Sequence, residues 1–319
     1  MFFVANSNFK TNNSYWYILK QTLQFIFFAI SIFLCVRFLY IVVNEDAIYS
    51  RTFLKLVTNV HTSKQALSLP RRGNLFCFVM TSRKHHKDRV LAINQTFLRR
   101  CEYGIFYTDT DDLEEDIPYS SIFKSHTEEG NADFWKSLVA LKHSYDNISS
   151  QYDWYNFINE DSFVLVENLK HFLKDFNPKI PHFFMFTVKP LMKSRYGSAK
   201  PNFVLSNEAM RLFSTKLFGN DTLCSYNLDS SIGIENCFKN AGVKTRNYGN
   251  SENHHDLGLS FDVQQSFNDK HNGLLRSAFI NHSKQITNRF SQQLISLHHI
   301  SASQMLTIEL LLYHIQVSP

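Results

Sequence analysis

The stretch DWYNFINEDSFVLVENLKHFLKDF (153–176) decides the fold. Its first part, WYNFIN (154–159), is a short apolar run too brief for a helix. It suits a strand buried on both faces. An acidic corner follows, Asn159-Glu160-Asp161, and then apolar residues at helical spacing predict a helix over 162–176. Working back toward the N-terminus, the same alternation repeats. LFCFVMT (75–81) reads as a strand, DRVLAINQTFLRR (88–100) as a helix through Val90, Ile93, Phe97 and Leu98, and YGIFYT (103–108) as a second strand. A helix around Trp135, Leu138 and Leu141 comes before the strand at 154. This β-α-β-α-β-α order predicts an α/β fold with a largely parallel sheet. In such folds ligands gather beyond the carboxyl ends of the strands, which is where the acidic corner falls.

Composition narrows the function classes. The 319 residues are 44% hydrophobic and 15% aromatic, with 30 Phe, 10 Gly and 7 Pro, which supports a large core and excludes a low-complexity or disordered chain. A net charge of +5 without a long basic run falls short of a nucleic-acid binder. No period of 20 to 50 residues speaks for a repeat architecture.

LQFIFFAISIFLCVRFLYIVV (23–43) is long enough to cross a bilayer, with Arg37 near enough to one end to snorkel. Phe38, Leu39, Tyr40 and Ile41 stand where a cleavable signal peptide would carry small residues, so the run reads as an uncleaved anchor. Basic residues on the two sides nearly balance and leave its orientation open. Cys77, Cys101, Cys224 and Cys237 lie beyond the anchor, an even set that fits two disulfides among three possible pairings. Proximity in sequence favours Cys77 with Cys101 and Cys224 with Cys237. The alternative is a cytosolic domain with four buried thiols. Sequons at Asn94, Asn147, Asn220 and Asn281 are also downstream, and with the cysteines they place the C-terminal part in an oxidising lumen. The expected organisation is a cytoplasmic tail (1–20), a signal anchor (21–43), a stem (44–71) and a lumenal domain (72–319), giving a type II membrane protein.

The acidic corner is the main chemical candidate. An acidic pair after a buried strand can hold a hard divalent cation that clamps a diphosphate. It also reads as a turn in which Asp161 caps the next helix. The basic loop Arg83-Lys84-His85-His86-Lys87 follows the first strand, where phosphates could approach; a solvated charged loop is the alternative.

From about Asn74 to the C-terminus the chain resembles the core 1 β1,3-galactosyltransferase family, which includes a non-catalytic chaperone relative. The resemblance rests on LFCFVMT with Cys101 downstream, FWKSL (134–138), YDWYNFINEDSFVLVENLKHFL (152–173), FVLSNEAMRLF (203–213), CSYNLDSSIGIENCFKNAGV (224–243) and HHISASQMLTIELLLYHI (298–315). It implies a GT-A type fold, with a mixed Rossmann-like sheet flanked by helices, in a single-pass Golgi or ER membrane protein. The implied reaction moves galactose from UDP-galactose to GalNAcα-Ser/Thr of glycoproteins, with Mn²⁺ and inversion. Implied partners are a UDP-sugar, GalNAc-bearing acceptors, and a second copy or a related transferase; nucleic acid is not among them.

Carried over residue by residue, the resemblance sets the family's three aspartates on Asn159, Glu160 and Asp161. It makes Asp161 the direct metal ligand and His254 the later metal-binding histidine. His254 also reads as a solvated loop residue beside His255. The family's Glu-Asp general base falls on Ser230 and Ser231, neither of which is a base at neutral pH. The neighbouring Asp229 is the replacement candidate, or else the N-cap of the helix that follows. Ser198-Ala199-Lys200-Pro201-Asn202 replaces a glycine-rich approach to substrate, and Arg289-Phe290 replaces a cysteine pair. Trp135 and Trp154 are candidates for stacking on a sugar, or for the core. An active transferase, a non-catalytic chaperone or partner, and a lumenal sugar-binding protein are the three readings.

Overall fold

A computed structural model describes residues 11–55, 60–124, 132–186, 202–225, 230–248, 257–260 and 293–316, with side chains of the first segment described over 16–39. The chain divides into two compact units, Met1–Lys55 and Leu56–Pro319. Among the described residues the first contains the helix α1 (Thr11–Lys55), and its segment Trp16–Leu39 is long and apolar enough to cross a membrane. The expected span 21–43 lies within this helix.

The second unit begins earlier than the sequence suggests. Residues from 60 onward, expected in a stem, pack into it. Ser63 caps the short helix α2 (Lys64–Ser68), donates from its hydroxyl to the Ile117 carbonyl at 2.6 Å, and accepts from the Tyr119 N–H at 3.0 Å. Ala66 is fully buried, and its carbonyl accepts from the Tyr103 hydroxyl at 2.7 Å. These long-range partners leave no trace in local composition.

The main sheet contains β1 (Arg72–Met80), β2 (Tyr103–Tyr107), β3 (Tyr119–Ser120), β4 (Gln151–Asn159), β6 (Phe183–Met185), β7 (Phe203–Ser206) and β8 (Thr245–Asn247), in the order β3-β2-β1-β4-β7-β6-β8. Strand β1 runs parallel to β2 and β4, whereas β7 is antiparallel to both β4 and β6. The result is the mixed α/β sheet that the resemblance implied. A smaller sheet is formed by β5 (Ser162–Val164), β9 (Gly258–Ser260) and β10 (Ser296–His298), with β10 in the middle. Helices α3 (Leu91–Gln95), α4 (Ala132–His143), α5 (Val166–Leu173), α6 (Asn207–Leu212), α7 (Ser230–Asn240) and α8 (Ala302–Glu309) are the further α-helices, several of them extended by short 3₁₀ or π turns.

Two expected helices differ. The one over 88–100 breaks at Thr96, whose hydroxyl donates to the Ala92 carbonyl at 2.8 Å while its backbone leaves the helical region. The one over 162–176 starts only at Val166. Ser162–Val164 instead forms β5, antiparallel to β10, and buries Phe163 and Val164. Pairing with residues far along the chain overrides local periodicity here.

Aromatic rings fill much of the interior. Phe76 of β1 stacks on Tyr103 of β2 with centroids 4.6 Å apart, and Phe157 of β4 stacks on Phe203 of β7 at 4.6 Å. Disulfides join Cys77 to Cys101 and Cys224 to Cys237, the pairs favoured by proximity. Cys77–Cys101 ties β1 to the approach of β2.

At the end of α4, burial lowers the His143 imidazole from 6.5 to about 4, against the opposing charge of Asp146. Its Nδ1 lies 3.1 Å from the Tyr107 hydroxyl. Between pH 6.5 and 4 the unfolded chain takes a proton at this residue that the folded chain refuses. The stability it contributes is therefore complete above pH 6.5 and lost by about pH 4. At about 1.4 kcal/mol per pH unit over this window the loss is about 3 kcal/mol. Urea unfolding of the detergent-solubilised chain from pH 7 to 4 should show His143→Gln losing less stability than wild type by that amount. Parallel curves for the two proteins would contradict it.

Candidate active site

The parallel pairing of β1 with β4 sets Met80 beside Asn159, so both strands deliver their carboxyl ends to one place. Thr81 leaves β1 there, and Glu160 and Asp161 leave β4. The Thr81 hydroxyl donates to Glu160 Oε2 at 2.6 Å. On the other oxygen of Glu160, His85 Nε2 stands at 3.4 Å and the Arg89 guanidinium at 3.7 Å. The side chain is only 12% exposed. Glu160 therefore binds the β1–α3 connection to the corner, with both oxygens occupied inside the protein.

Asn159 is buried, and its backbone N–H donates to Asn202 Oδ1 at 2.9 Å. The Asn202 amide donates in turn to Ser296 Oγ at 3.1 Å, which reaches β10. Asp161 is held from the same direction. Its carbonyl accepts from the Ile300 N–H at 2.8 Å, Ser162 Oγ lies 3.4 Å from its Oδ1, and His299 Nδ1 lies 3.5 Å from its Oδ2. Burial opposes ionisation of Asp161, but the His299 contact and charge, with lesser help from His298 and Arg89, hold its carboxyl below the ordinary value. With 21% of its side chain exposed, Asp161 is the corner's accessible carboxylate, anionic at neutral pH.

His298 is fully enclosed behind it. Its Nε2 sits 2.8 Å from the Phe186 carbonyl, an acceptor, which assigns the ring proton to Nε2. Burial lowers this imidazole to about 4, so it is neutral at physiological pH. His299 adopts φ 59°, the left-handed region that a residue with a Cβ enters at a cost of about 1–2 kcal/mol. Such strain clusters at functional positions. Here it turns the ring of His299 onto Asp161.

The basic loop is tied down rather than open. Arg83 Nε pairs with Asp112 at 2.9 Å, and the Arg83 N–H donates to Asp109. Buried His86 spans Asp112 at 3.0 Å and Thr108 at 2.7 Å. These contacts join the exit of β1 to the exit of β2, and Arg83, Lys84 and Lys87 are exposed.

The structure therefore brings Asn159, Glu160 and Asp161 together and adds His298 and His299, which the residue-by-residue reading passed over. The adjacent histidines of HHISASQM (298–305) were the available signal. Asp229, His254 and Asn281 lie outside the described residues, and Ser230 opens α7. Trp154 and Trp135 do not serve as sugar platforms. Trp154 is 1% exposed and stacks on Phe184 and His182, and Trp135 is 5% exposed in the core. Asn147 is exposed, whereas Asn94 and Asn220 are half-buried.

Among the described residues no cluster of three acidic, histidine or cysteine side chains could hold a metal. The chemistry of the corner still suits a divalent cation of the kind that takes one or two protein donors and fills its other positions with phosphate and water. Asp161 supplies an ionised oxygen and the half-exposed His299 beside it an imidazole nitrogen, whereas His298 is enclosed behind them.

Residues 71–190 match the Fringe-like family, so the resemblance set out above holds over the strands that build the corner. A glycoprotein-N-acetylgalactosamine 3-beta-galactosyltransferase 1 of Xenopus laevis is 23% identical over 78% of this chain and 68% of its own. The beta-1,3-N-acetylglucosaminyltransferase radical fringe of Notophthalmus viridescens is 28% identical over 38% of this chain and 31% of its own. Of solved structures, a glycosyltransferase involved in glycosylation of the major capsid of PBCV-1 superposes with a TM-score of 0.42 at 13% identity, over 75% of this chain and all of that one.

Proposed function

We propose that this chain is a β1,3-glycosyltransferase and that it moves galactose from UDP-galactose to GalNAcα-Ser/Thr of glycoproteins, as a type II protein of the Golgi membrane with residues 1–20 cytoplasmic and the α/β unit in the lumen. The observation that carries the reading is Asp161: an ionised, accessible carboxylate at the carboxyl edge of the sheet, braced by His299. The similarity to the Xenopus galactosyltransferase supports this choice of donor and acceptor.

In an inverting transfer the acceptor oxygen bonds to the sugar's anomeric carbon as the bond to UDP breaks, and the acceptor proton passes to a base. A divalent cation such as Mn²⁺, when bound, would offset the charge that grows on the leaving diphosphate. Asp161, with His299 beside it, would hold that cation; His254 is a further candidate ligand. Glu160 keeps Arg89 and His85 at the same edge. Asp229 is the proposed base.

A specific observation favours a second reading, a non-catalytic partner of another transferase. Glu160 is engaged by the protein's own Thr81, His85 and Arg89, and serines occupy the base positions. The deciding measurement is transfer from UDP-galactose to a GalNAc-threonine peptide by the detergent-solubilised full chain with Mn²⁺, the linkage read by NMR. A β1,3 product lost on chelation is the expected result. Binding of UDP without turnover of any UDP-sugar offered would establish the second reading.

A further inference from the structure

The sequons stand in unequal places in the fold. The motif alone ranks Asn94-Gln95-Thr96 above Asn147-Ile148-Ser149, because threonine sequons are glycosylated more readily than serine ones. The fold favours the reverse order.

Asn94 lies in α3, inside the connection from β1 to β2. Two steps along a helix turn the side chain by about 200°, so Asn94 and Thr96 point to different sides. Asn94 is half-buried, and Thr96 is fully buried with its hydroxyl donated to the Ala92 carbonyl at 2.8 Å. The enzyme that attaches N-glycans must hold the asparagine amide and the hydroxyl two residues on together. The Asn94 segment is therefore a substrate only before it folds. That time is short. Cys77 and Cys101, 24 residues apart, close a loop around Asn94, and Cys101 follows the asparagine by seven positions. The parallel pairing of β1 with β2 across this loop needs no residue beyond Tyr107.

Asn147 differs on each point. It is exposed in the turn Ser144–Ile148 after α4, and Ser149 leaves that turn in extended conformation toward β4. No cysteine lies between Cys101 and Cys224, so no disulfide closes around it. The contact that pins its turn, from Ser214 Oγ to Asp146 Oδ1 at 2.6 Å, waits for residue 214 to be made. The site also leaves the acidic corner clear. Strand β4 rises about 26 Å from Gln151 to Asn159, and Asn147 precedes its far end.

We propose that Asn147 carries an N-linked glycan, and that closure of the Cys77–Cys101 loop withholds one from Asn94. The modification joins Nδ2 of Asn147 to the anomeric carbon of an oligosaccharide delivered on a lipid diphosphate. The bond from that carbon to the diphosphate oxygen breaks, the lipid diphosphate leaves, and the amide gives up one proton. The proposal rests on the lumenal placement put forward above and is independent of the transfer reaction.

Site occupancy in the full-length chain, made in a eukaryotic secretory cell, tests it. Enzymatic deglycosylation in ¹⁸O water turns each occupied asparagine into a labelled aspartate, which peptide mass spectrometry counts. Asn147 should be occupied at least about fivefold more than Asn94, against the order of the motif. Cys101→Ser should raise the occupancy of Asn94 at least about fivefold and leave Asn147 as it was, a readout that does not need the variant to fold. Equal occupancy of the two sites in wild type, or an Asn94 unmoved by Cys101→Ser, would overturn the proposal. So would a bare Asn147 in a chain whose α/β unit resists protease in sealed microsomes. Digestion of that unit in sealed microsomes would overturn the lumenal placement, and the glycan with it.

Discussion

Asp161→Asn should reduce glycosyl transfer by about 10³-fold or more while leaving the folded structure intact. The substitution keeps the shape of the side chain, the backbone bond to Ile300 and a hydrogen-bonding oxygen, and it removes one negative charge. Preorganised charge at a site where charge develops is worth about 10²–10³ in rate for a single group. Loss of a proposed cation ligand adds to that. Burial costs the carboxylate stability that His299 and its neighbours repay, so the amide should change the urea midpoint little. The check is kcat with UDP-galactose and peptide, alongside UDP affinity with and without Mn²⁺. Undiminished transfer by a folded Asp161→Asn protein would remove the corner from the mechanism.

The largest effect on stability is expected at Trp154. The ring is 1% exposed on β4 and stacks on Phe184, centroid to centroid, at 6.0 Å. Truncation of a buried Trp to Ala costs about 3–5 kcal/mol through lost burial and the cavity left behind. Trp154→Ala should therefore lower the unfolding free energy by about 4 kcal/mol, whereas Trp154→Phe should keep most of it. With the Phe variant, KM for the acceptor should stay within about twofold of wild type, because the ring does not reach a bound sugar. A selective rise in acceptor KM would restore Trp154 as a substrate contact.

Much of the framework was legible because each β-α step carries its own signal. LFCFVMT, YGIFYT and WYNFIN are short, apolar and bounded by charge, and all three are strands of the parallel core. The acidic corner was legible for the same reason, since its place follows from where β4 must stop. What escaped is what depends on distant partners. Ser162–Val164 has helical periodicity, but it is captured by β10, so Phe163 meets Leu297 instead of continuing a helix. His298 and His299 stood out only as an adjacent pair, because no local rule carries a segment near residue 298 back to residue 161. Residues from 60 onward looked like a tether because α2 is a single short helix whose anchor, Ser63, finds its partners at Ile117 and Tyr119. Trp154 was ambiguous from spacing, since a strand position alternates between faces whatever covers them.

The pairing of β5 with β10 also fixes the order in which the corner can come into being. Ser162 meets His298 across 136 residues of chain, and the ring beside Asp161 comes from residue 299. During synthesis, β1, β2 and β4 can pair while translation continues, because their partners are already made. The acidic corner cannot be completed then. It waits with Phe163 uncovered until the segment around 296–300 leaves the ribosome. A chain that stops short of this segment is left with its parallel core and an unfinished corner. The interval before closure exposes an apolar strand edge of the kind that chaperones bind.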